Sequence, residues 1–393
     1  MKLLKVKQLF DYRTTKKHSL HSIILHKYIK YKTFQELNRD ISVIMINTFF
    51  KFNKHRKPRE IKFIEQTKFS ICECLSATGL RAIRYYLELN KQYVREIIAN
   101  DMDKKAVDCI HINAEKNNID KEKFKVYQNE ASRLLYSNLN SIEVIDLDPY
   151  GSAIPMLDAA IQSLKSGGLL LATFTDMPVL CGIYPETTFY KYGSIPYKTS
   201  FCHEMAMRIA LYSISTAASK YQKTIIPLFS FNAEFYIRLV LIVKDSAAEC
   251  KNNGAKYGYM YHCRNCQNRI ITPLGAYQEM QSHKNKEKVN SYFKFNNLTG
   301  HSTCDVCESS MCLSGPFWID SLHDEDFLNS ALADLNGEDY KYMKYSGHVK
   351  NFLYAIKGEL PLESQVFNYD YPQFARELGV NCPKFSLFKY DNY

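Results

Sequence analysis

Residues Ile142–Gly182 read IEVIDLDPYGSAIPMLDAAIQSLKSGGLLLATFTDMPVLCG. A short apolar run, Val144-Ile145, stops at Asp146-Leu147-Asp148-Pro149-Tyr150-Gly151, as a strand buried in a parallel sheet does. Met156, Leu157, Ala160, Ile161 and Leu164 then recur at three- and four-residue spacing and predict a helix. Gly167-Gly168 is expected to end that helix, and Leu169–Phe174 to form the next strand. Together they make one strand–helix–strand unit. Its first loop carries two carboxylates, a proline and an aromatic ring at the C-terminal end of a strand, the edge where open α/β sheets bind ligands.

The contents of that loop suit a particular chemistry. The exocyclic amine of a nucleobase is a poor nucleophile, because its lone pair is delocalised into the ring. A carboxylate or carbonyl that accepts its N–H bonds localises the pair and aims it at an electrophile, while a flat aromatic neighbour stacks on the base. An acid, then proline, then tyrosine therefore fits N-methylation of a base. Taken alone, Asp148-Pro149-Tyr150 reads more readily as a surface turn capping a helix. The rest of the chain decides between the two.

With 393 residues the chain is expected to hold two domains, each able to bury a core. Hydrophobic content of 46% and charged content of 23% are those of a soluble globular protein. No apolar run is long enough to span a bilayer. The first thirty residues are basic but lack the apolar centre of a secretory signal, and Asp11 weakens an organelle address. A net charge of +10 fits a polyanionic partner, and a lysine-rich genome bias explains it equally well. Of the 12 cysteines, four form two C-x-x-C pairs, which points to metal ligation over a disulfide framework.

Met1–Lys32 is basic and without period, and reads as irregular or β structure. A helix follows from Gln35 through Ile41, Val43, Ile44, Ile46 and Phe49, with Arg39 in its first turn, where the helix dipole disfavours a cation. Arg39 is then either solvated or held to pair with a carboxylate. Lys54–Glu60 reads as a charged loop. Phe69–Leu75 is a strand running into Ser76-Ala77-Thr78-Gly79-Leu80-Arg81, a small-residue turn with one glycine, and then a helix. One glycine does not make a dinucleotide fingerprint. Val94–Ala99 is the next strand and ends in Asn100-Asp101. Asp101 is either a helix N-cap or a ribose acceptor, and its spacing from the glycine turn favours the second. Phe124–Tyr127 is a third strand. Glu130-Ala131 after it either holds an adenine edge or begins a helix. Tyr184–Gly193 reads as an aromatic loop, a lid or base platform. Cys202-His203-Glu204 opens a helix, and the cysteine and histidine read as helix-end packing because no third ligand stands near. Lys223–Phe229 and Phe235–Val243 look like an antiparallel closing pair. The expectation is an α/β, Rossmann-like and mostly parallel sheet. The order of its features is that of an S-adenosylmethionine-dependent methyltransferase.

Asp245–Gly258 is polar and marks the boundary between a domain at 1–250 and a smaller α+β domain at 251–393. In the latter, Cys263-x-x-Cys266 and Cys304-x-x-Cys307 stand thirty-seven residues apart, the signature of a four-sulfur structural zinc site. His262, His283 and His301 are substitute ligands, and Cys312 lies just outside the second pair. Trp318 reads as interdomain packing in preference to base stacking. Tyr340–Phe352 and Tyr369–Val380 look helical. Tyrosine and lysine alternate over Tyr340–Tyr345, which fits a phosphate-and-stacking surface or a solvated helix face equally.

Several blocks resemble the tRNA guanine-26 N2-dimethyltransferase family: NRD at Asn38–Asp40, LSATGLRAIRY at Leu75–Tyr85, AND at Ala99–Asp101, DLDPYGSAIPMLDAAI at Asp146–Ile161, GGLLLATFTDMPVLCG at Gly167–Gly182, CHE at Cys202–Glu204 and GPFWIDSLHD at Gly315–Asp324. The resemblance covers Gln35 to Phe327. It implies two methyl transfers from S-adenosylmethionine to the exocyclic amine of one guanine in tRNA. It also implies that Arg39 and Arg81 flank the methionine end of the cofactor, Asp101 its ribose and Glu130-Ala131 its adenine. Asp148, Pro149 and Tyr150 would hold the guanine, with Asp146 an alternative partner. The zinc cysteines also look like a family feature. A monomer in the nucleus is expected, with mitochondrion and cytoplasm as other compartments. Family members run on past the segment resembling Tyr369–Pro383, and the lead-in before Gln35 departs from theirs. Two rivals stand: an N-methyltransferase acting on another base amine, and a catalytically silent, zinc-containing RNA-binding protein.

Overall fold

A computed structural model describes residues 33–55, 68–199, 201–233, 235–266, 268–281, 289–296, 300–337 and 339–357. The expectations for Met1–Lys32 and Tyr369–Val380, and for His283 as a ligand, lie outside them. In chain order the elements are α1 (Thr33–His55), β1 (Phe69–Glu73), α2 (Leu80–Glu88), β2 (Val94–Asp101), α3 (Lys104–Lys116), β3 (Phe124–Gln128), α4 (Ala131–Tyr136), β4 (Ile142–Leu147), α5 (Leu157–Ser163), β5 (Leu164–Phe174), α6 (Met177–Leu180), α7 (Pro185–Tyr192) and α8 (Cys202–Lys220). There follow β6 (Lys223–Ala233), β7 (Tyr236–Asp245), α9 (Ala247–Asn252), β8 (Tyr257–Cys263), β9 (Arg269–Pro273), β10 (Gly275–Gln281), β11 (Val289–Phe295), β12 (Met311–Trp318), α10 (Glu325–Asn336) and α11 (Ser346–Lys357). No helix among the described residues is long and apolar enough to cross a membrane.

Seven strands form a mixed sheet in the order β3-β2-β1-β4-β5-β7-β6. β1 and β4 are wholly buried, which is why FSICE and IEVIDL show no alternation. β1 pairs in parallel with β2 on one side and with β4 on the other. The chain therefore runs outward from β1 to β3, then returns to start again at β4. That reversal opens a crevice beyond the carboxyl ends of β1 and β4, where such sheets bind ligands. The register Glu73↔Asp146 puts two acids side by side at that edge.

By contacts the described chain divides into two compact units, one of residues 33–173, 240–244 and 324–357, the other of 174–239 and 245–323. In the first, α10 and α11 pack with α1: Phe52 meets Phe327 edge-on at 5.3 Å, Thr48 Oγ1 donates to Asp334 at 3.0 Å, and Tyr345 N donates to Asp40 at 3.2 Å. In the second, β12-β8-β9 and β10-β11 form small antiparallel sheets.

Three expectations are corrected. Gly167-Gly168 does not end a helix. Leu164 already turns extended and pairs with Ile142, and the register then jumps so that Val144 pairs with Leu169. The glycines sit in that jump: Gly167 has φ +82°, and a Cβ on Gly168 would stand 2.9 Å from two carbonyl oxygens. Tyr184–Gly193 is mostly the helix α7, closed by Gly193 at φ +68°, not a loop. Tyr340–Tyr345 is a turn before α11, with Tyr340, Met343 and Tyr345 buried and Lys341 and Lys344 outward, so it presents no stacking surface. Trp318, read as packing in preference to base stacking, is buried beside Tyr257 and Lys256 and donates to Ser321 O at 2.9 Å.

Candidate active site and cysteine clusters

The turn between β1 and α2 is built around Gly79. Its φ is +76°, and a Cβ there would meet Ile110 of α3 at 3.1 Å, so a side chain is both strained and crowded. Asp101, at the end of β2, reaches across to this turn and accepts the Ala77 N–H at 2.8 Å. Its other oxygen accepts from Asp103 N at 3.0 Å. Asp103, not Asp101, is the N-cap of α3. Asn100 is buried and donates to Cys74 O and Asn129 O, both at 3.0 Å, which ties the end of β1 to the residue before Glu130. Glu130 itself caps α4, accepting from Ser132 N and Arg133 N at 2.8 Å each. Against the cost of burial, those bonds hold its carboxyl below the usual range. Ala131 is the buried first residue of α4.

Arg81, second residue of α2, is buried among three carboxylates. It ion-pairs with Asp148, lies 3.5 Å from Asp146 and 3.5 Å from Glu73, and donates to Ser42 Oγ at 2.8 Å. Asp146 is fully buried and also accepts from Tyr85 Oη. Glu73 accepts the Ala82 N–H at 3.0 Å. Burial, opposed by Arg81 and reinforced by Asp146, pushes the Glu73 carboxyl up to about 8. One cation thus faces three carboxyl groups, of which burial holds the Glu73 carboxyl far above the usual range. Arg39 is buried on α1, three residues before Ser42 and so on the same face. α1 begins at Thr33, so Arg39 sits a turn deeper than the sequence indicates.

The Asp148 side chain is 26% exposed, Pro149 is buried, and Tyr150 is 88% exposed. Arg81, Asp146 and Asp148 are therefore in contact, Asp101 touches the turn that leads to Arg81, and Ser42 brings the Arg39 face of α1 to the same cluster. Glu73, Ser42, Tyr85 and Asn100 were not singled out in the sequence. The signal for Glu73 is an acid inside an otherwise apolar strand; Ser42 and Tyr85 carry no local signal.

In the second unit, Cys263, Cys266, Cys304 and Cys307 converge with all four sulfurs within 4.8 Å of one another. Cys263 and Cys307 are 3.4 Å apart and Cys266 and Cys304 3.5 Å, against about 3.8 Å for the edge of a tetrahedron with 2.3 Å zinc–sulfur bonds. Asn265 N and Val306 N donate to Cys263 and Cys304 at 3.4 Å, as backbone amides do to thiolates in such knuckles. His262 packs on Tyr197 and His301 on Tyr261, while Cys312 accepts from Arg264, so none of these joins the cluster. A further group, Cys181 with Cys202 and His203, also converges. The third ligand that the sequence lacked near Cys202 comes from the end of α6.

The strand order and the acid-lined crevice define a protein of Rossmann-like methyltransferase fold. Trm1 from Pyrococcus horikoshii, solved in complex with S-adenosyl-L-methionine, shares that fold with a TM-score of 0.69 and 24% identity, over 93% of this chain and 87% of that one. A profile of the N2,N2-dimethylguanosine tRNA methyltransferase family matches residues 11–389, and the chain belongs to that family. A Drosophila melanogaster tRNA (guanine(26)-N(2))-dimethyltransferase is 33% identical over 364 residues, 84% of this chain and 62% of the relative. The mitochondrial enzyme of that name from Saccharomyces cerevisiae is 39% identical over 282 residues, 69% of this chain and 48% of the relative. The chain thus spans about half to three-fifths of the length of these relatives.

Proposed function

We propose that this chain transfers methyl groups from S-adenosylmethionine to the exocyclic N2 of guanine-26 in tRNA, giving N2,N2-dimethylguanosine. The observation that carries the reading is the ion pair between Arg81, two residues beyond the glycine turn, and Asp148 of the acidic loop. It makes the proposed cofactor and base sites neighbours.

The donors fit the cofactor. A carboxylate has room for about four hydrogen bonds, so Asp101 can take ribose hydroxyls beside the two backbone amides it already accepts. The amino end of α2 has no side-chain cap, and with Arg39 and Arg81 it suits the carboxylate of the methionine end. Glu130-Ala131 takes the adenine edge. When bound, the cofactor supplies a methyl group made electrophilic by its sulfonium. Asp148 accepts an N–H bond of the guanine amine and localises its lone pair, Pro149 fixes the loop backbone, and exposed Tyr150 stacks on the base. Asp146 is assigned to holding Arg81, since no part of it is exposed. Positioning supplies the rate, with little need for a strong base. The guanine leaves its stack to reach the loop.

The net charge of +10 suits a tRNA partner. The four-cysteine cluster binds a structural zinc ion, because four thiolates leave no coordination position open. The reading includes division at residue 250, a monomer, and a nuclear location with mitochondrion or cytoplasm as the other compartments. The test is incubation of unmodified tRNA transcript with protein and S-adenosylmethionine, followed by mass analysis of nucleosides. Dimethylguanosine at position 26 is expected. Methylation confined to another base, or none, refutes the reading.

A further inference from the structure

The second cysteine group is a built feature of the second unit. Cys181 follows α6, its N–H donating to Met177 O at 2.8 Å. The next residue, Gly182, has φ +81°, and a Cβ there would stand 3.3 Å from Lys198 N and from Pro196. The chain leaving Cys181 is thereby pressed against the segment that leads into α8, as only glycine permits. On the other side, Cys202 and His203 are the first two residues of α8. That helix is anchored by Arg208, which donates to Trp318 O at 3.1 Å and Asp320 O at 3.0 Å, and by Ser213, which donates to Tyr192 O at 2.7 Å. Between these fixed points the two sulfurs and one imidazole nitrogen lie within 4.8 Å of one another, and the Cys181 thiol points at Cys202 O, 3.7 Å away.

We propose that Cys181, Cys202 and His203 bind a thiophilic divalent metal ion of the zinc class, with a fourth position open to solvent. Two sulfurs and an imidazole select such an ion over the hard cations calcium and magnesium, which need oxygen ligands. Glu204, the next residue along the helix, is engaged by Arg208 at 2.9 Å and is not among the converging groups. Three protein ligands in place of four leave a position for water or a small ligand, and His203 is exposed. Binding exchanges the two thiol protons for the ion. The site is separate from the four-cysteine cluster, which contributes none of its ligands.

The experiment counts ions. The full chain is stripped of metal, reloaded anaerobically with zinc or cobalt(II), freed of excess and measured by elemental analysis. Two ions per chain are expected, falling by one in Cys202→Ser and in His203→Ala, while Cys304→Ser loses the other ion only. His203→Ala guards against misfolding, because its side chain is exposed, and its urea midpoint should match that of the parent. If the count is the same in parent, Cys202→Ser and His203→Ala, the site does not exist. Recovery of Cys181 and Cys202 as a disulfide from anaerobic protein overturns it equally.

Discussion

Around Arg81, charge is held by packing: Glu73 and Asp146 come from two neighbouring strands and Asp148 from the loop after the second, and the guanidinium they surround is buried. Around Cys263 and Cys304 the packing is one-sided: these two are buried, and their partners in the cluster are not. Cys266 is exposed, Cys307 half-exposed, and the two turns meet through their sulfurs and a few hydrogen bonds, such as that from Arg264 N to Ser310 O at 3.3 Å. The first region is specified by residues scattered from Ser42 to Asp148, carried on α1, β1, α2, β4 and the loop after β4. The second is specified by two short local turns that bring four sulfurs together. Functional groups can thus be held by a surrounding fold or can themselves stand in for one, and the two arrangements should fail in different ways.

The largest difference lies in what a single side chain does. Asp148→Ala should lower methyl transfer by about 10³-fold, because positioning at the amine is lost. S-adenosylmethionine affinity, measured by calorimetry, should change far less, since Arg81 keeps Asp146. Near-normal turnover in this variant would remove Asp148 from the reaction. Loss of cofactor binding in proportion would make it part of the cofactor site instead.

In the cysteine knuckle the corresponding perturbation is removal of the proposed zinc ion. Structural zinc contributes on the order of 10 kcal/mol to small sites that fold around it. Chelation should therefore expose β8, β9 and the start of β12 to rapid amide exchange, while β1 and β4 keep their protection. Equal protection of the knuckle with and without chelator would mean that packing, not an ion, holds it. Loss of protection in both regions would erase the contrast between them.

The same contrast explains what the sequence disclosed. The two C-x-x-C pairs announce their site because the ligands and their spacing are local. The strands and the Gly79 turn are legible for a similar reason: burial on both faces and a positive φ each leave a short signature. The Gly167-Gly168 pair misleads because a glycine pair marks a helix stop and a register jump alike, and only the pairing of Ile142 with Leu164 separates them. The tyrosines at 340–345 are inward because α1 lies beneath that turn, with Asp40 accepting from Tyr345 N. Cys181 and Cys202 could not be joined by reading, since their meeting depends on the close approach at Gly182. Glu73 is visible as an odd residue in FSICE, but its partner Arg81 lies beyond a turn whose geometry the letters do not carry.

Glu73 offers the finest test, because it asks whether packing alone sets its charge. Its carboxyl titrates near 8 in the fold against 4.5 ordinarily, burial being the main cause. Between those values the folded chain binds one more proton than the unfolded chain. The stability this confers is full below about 4.5 and is lost as pH rises through about 8, with a slope of at most about 1.4 kcal/mol per pH unit. Glu73→Gln keeps an acceptor for the Ala82 N–H and stays neutral at every pH. Its urea midpoint should therefore fall less than that of the parent between pH 5 and pH 9 (roughly the window above), so that the variant gains on the parent as pH rises. Parallel curves would show that Glu73 is ionised throughout. In that case Arg81 would hold Glu73 as an ion pair, and the cluster would owe its shape to ion pairing more than to burial.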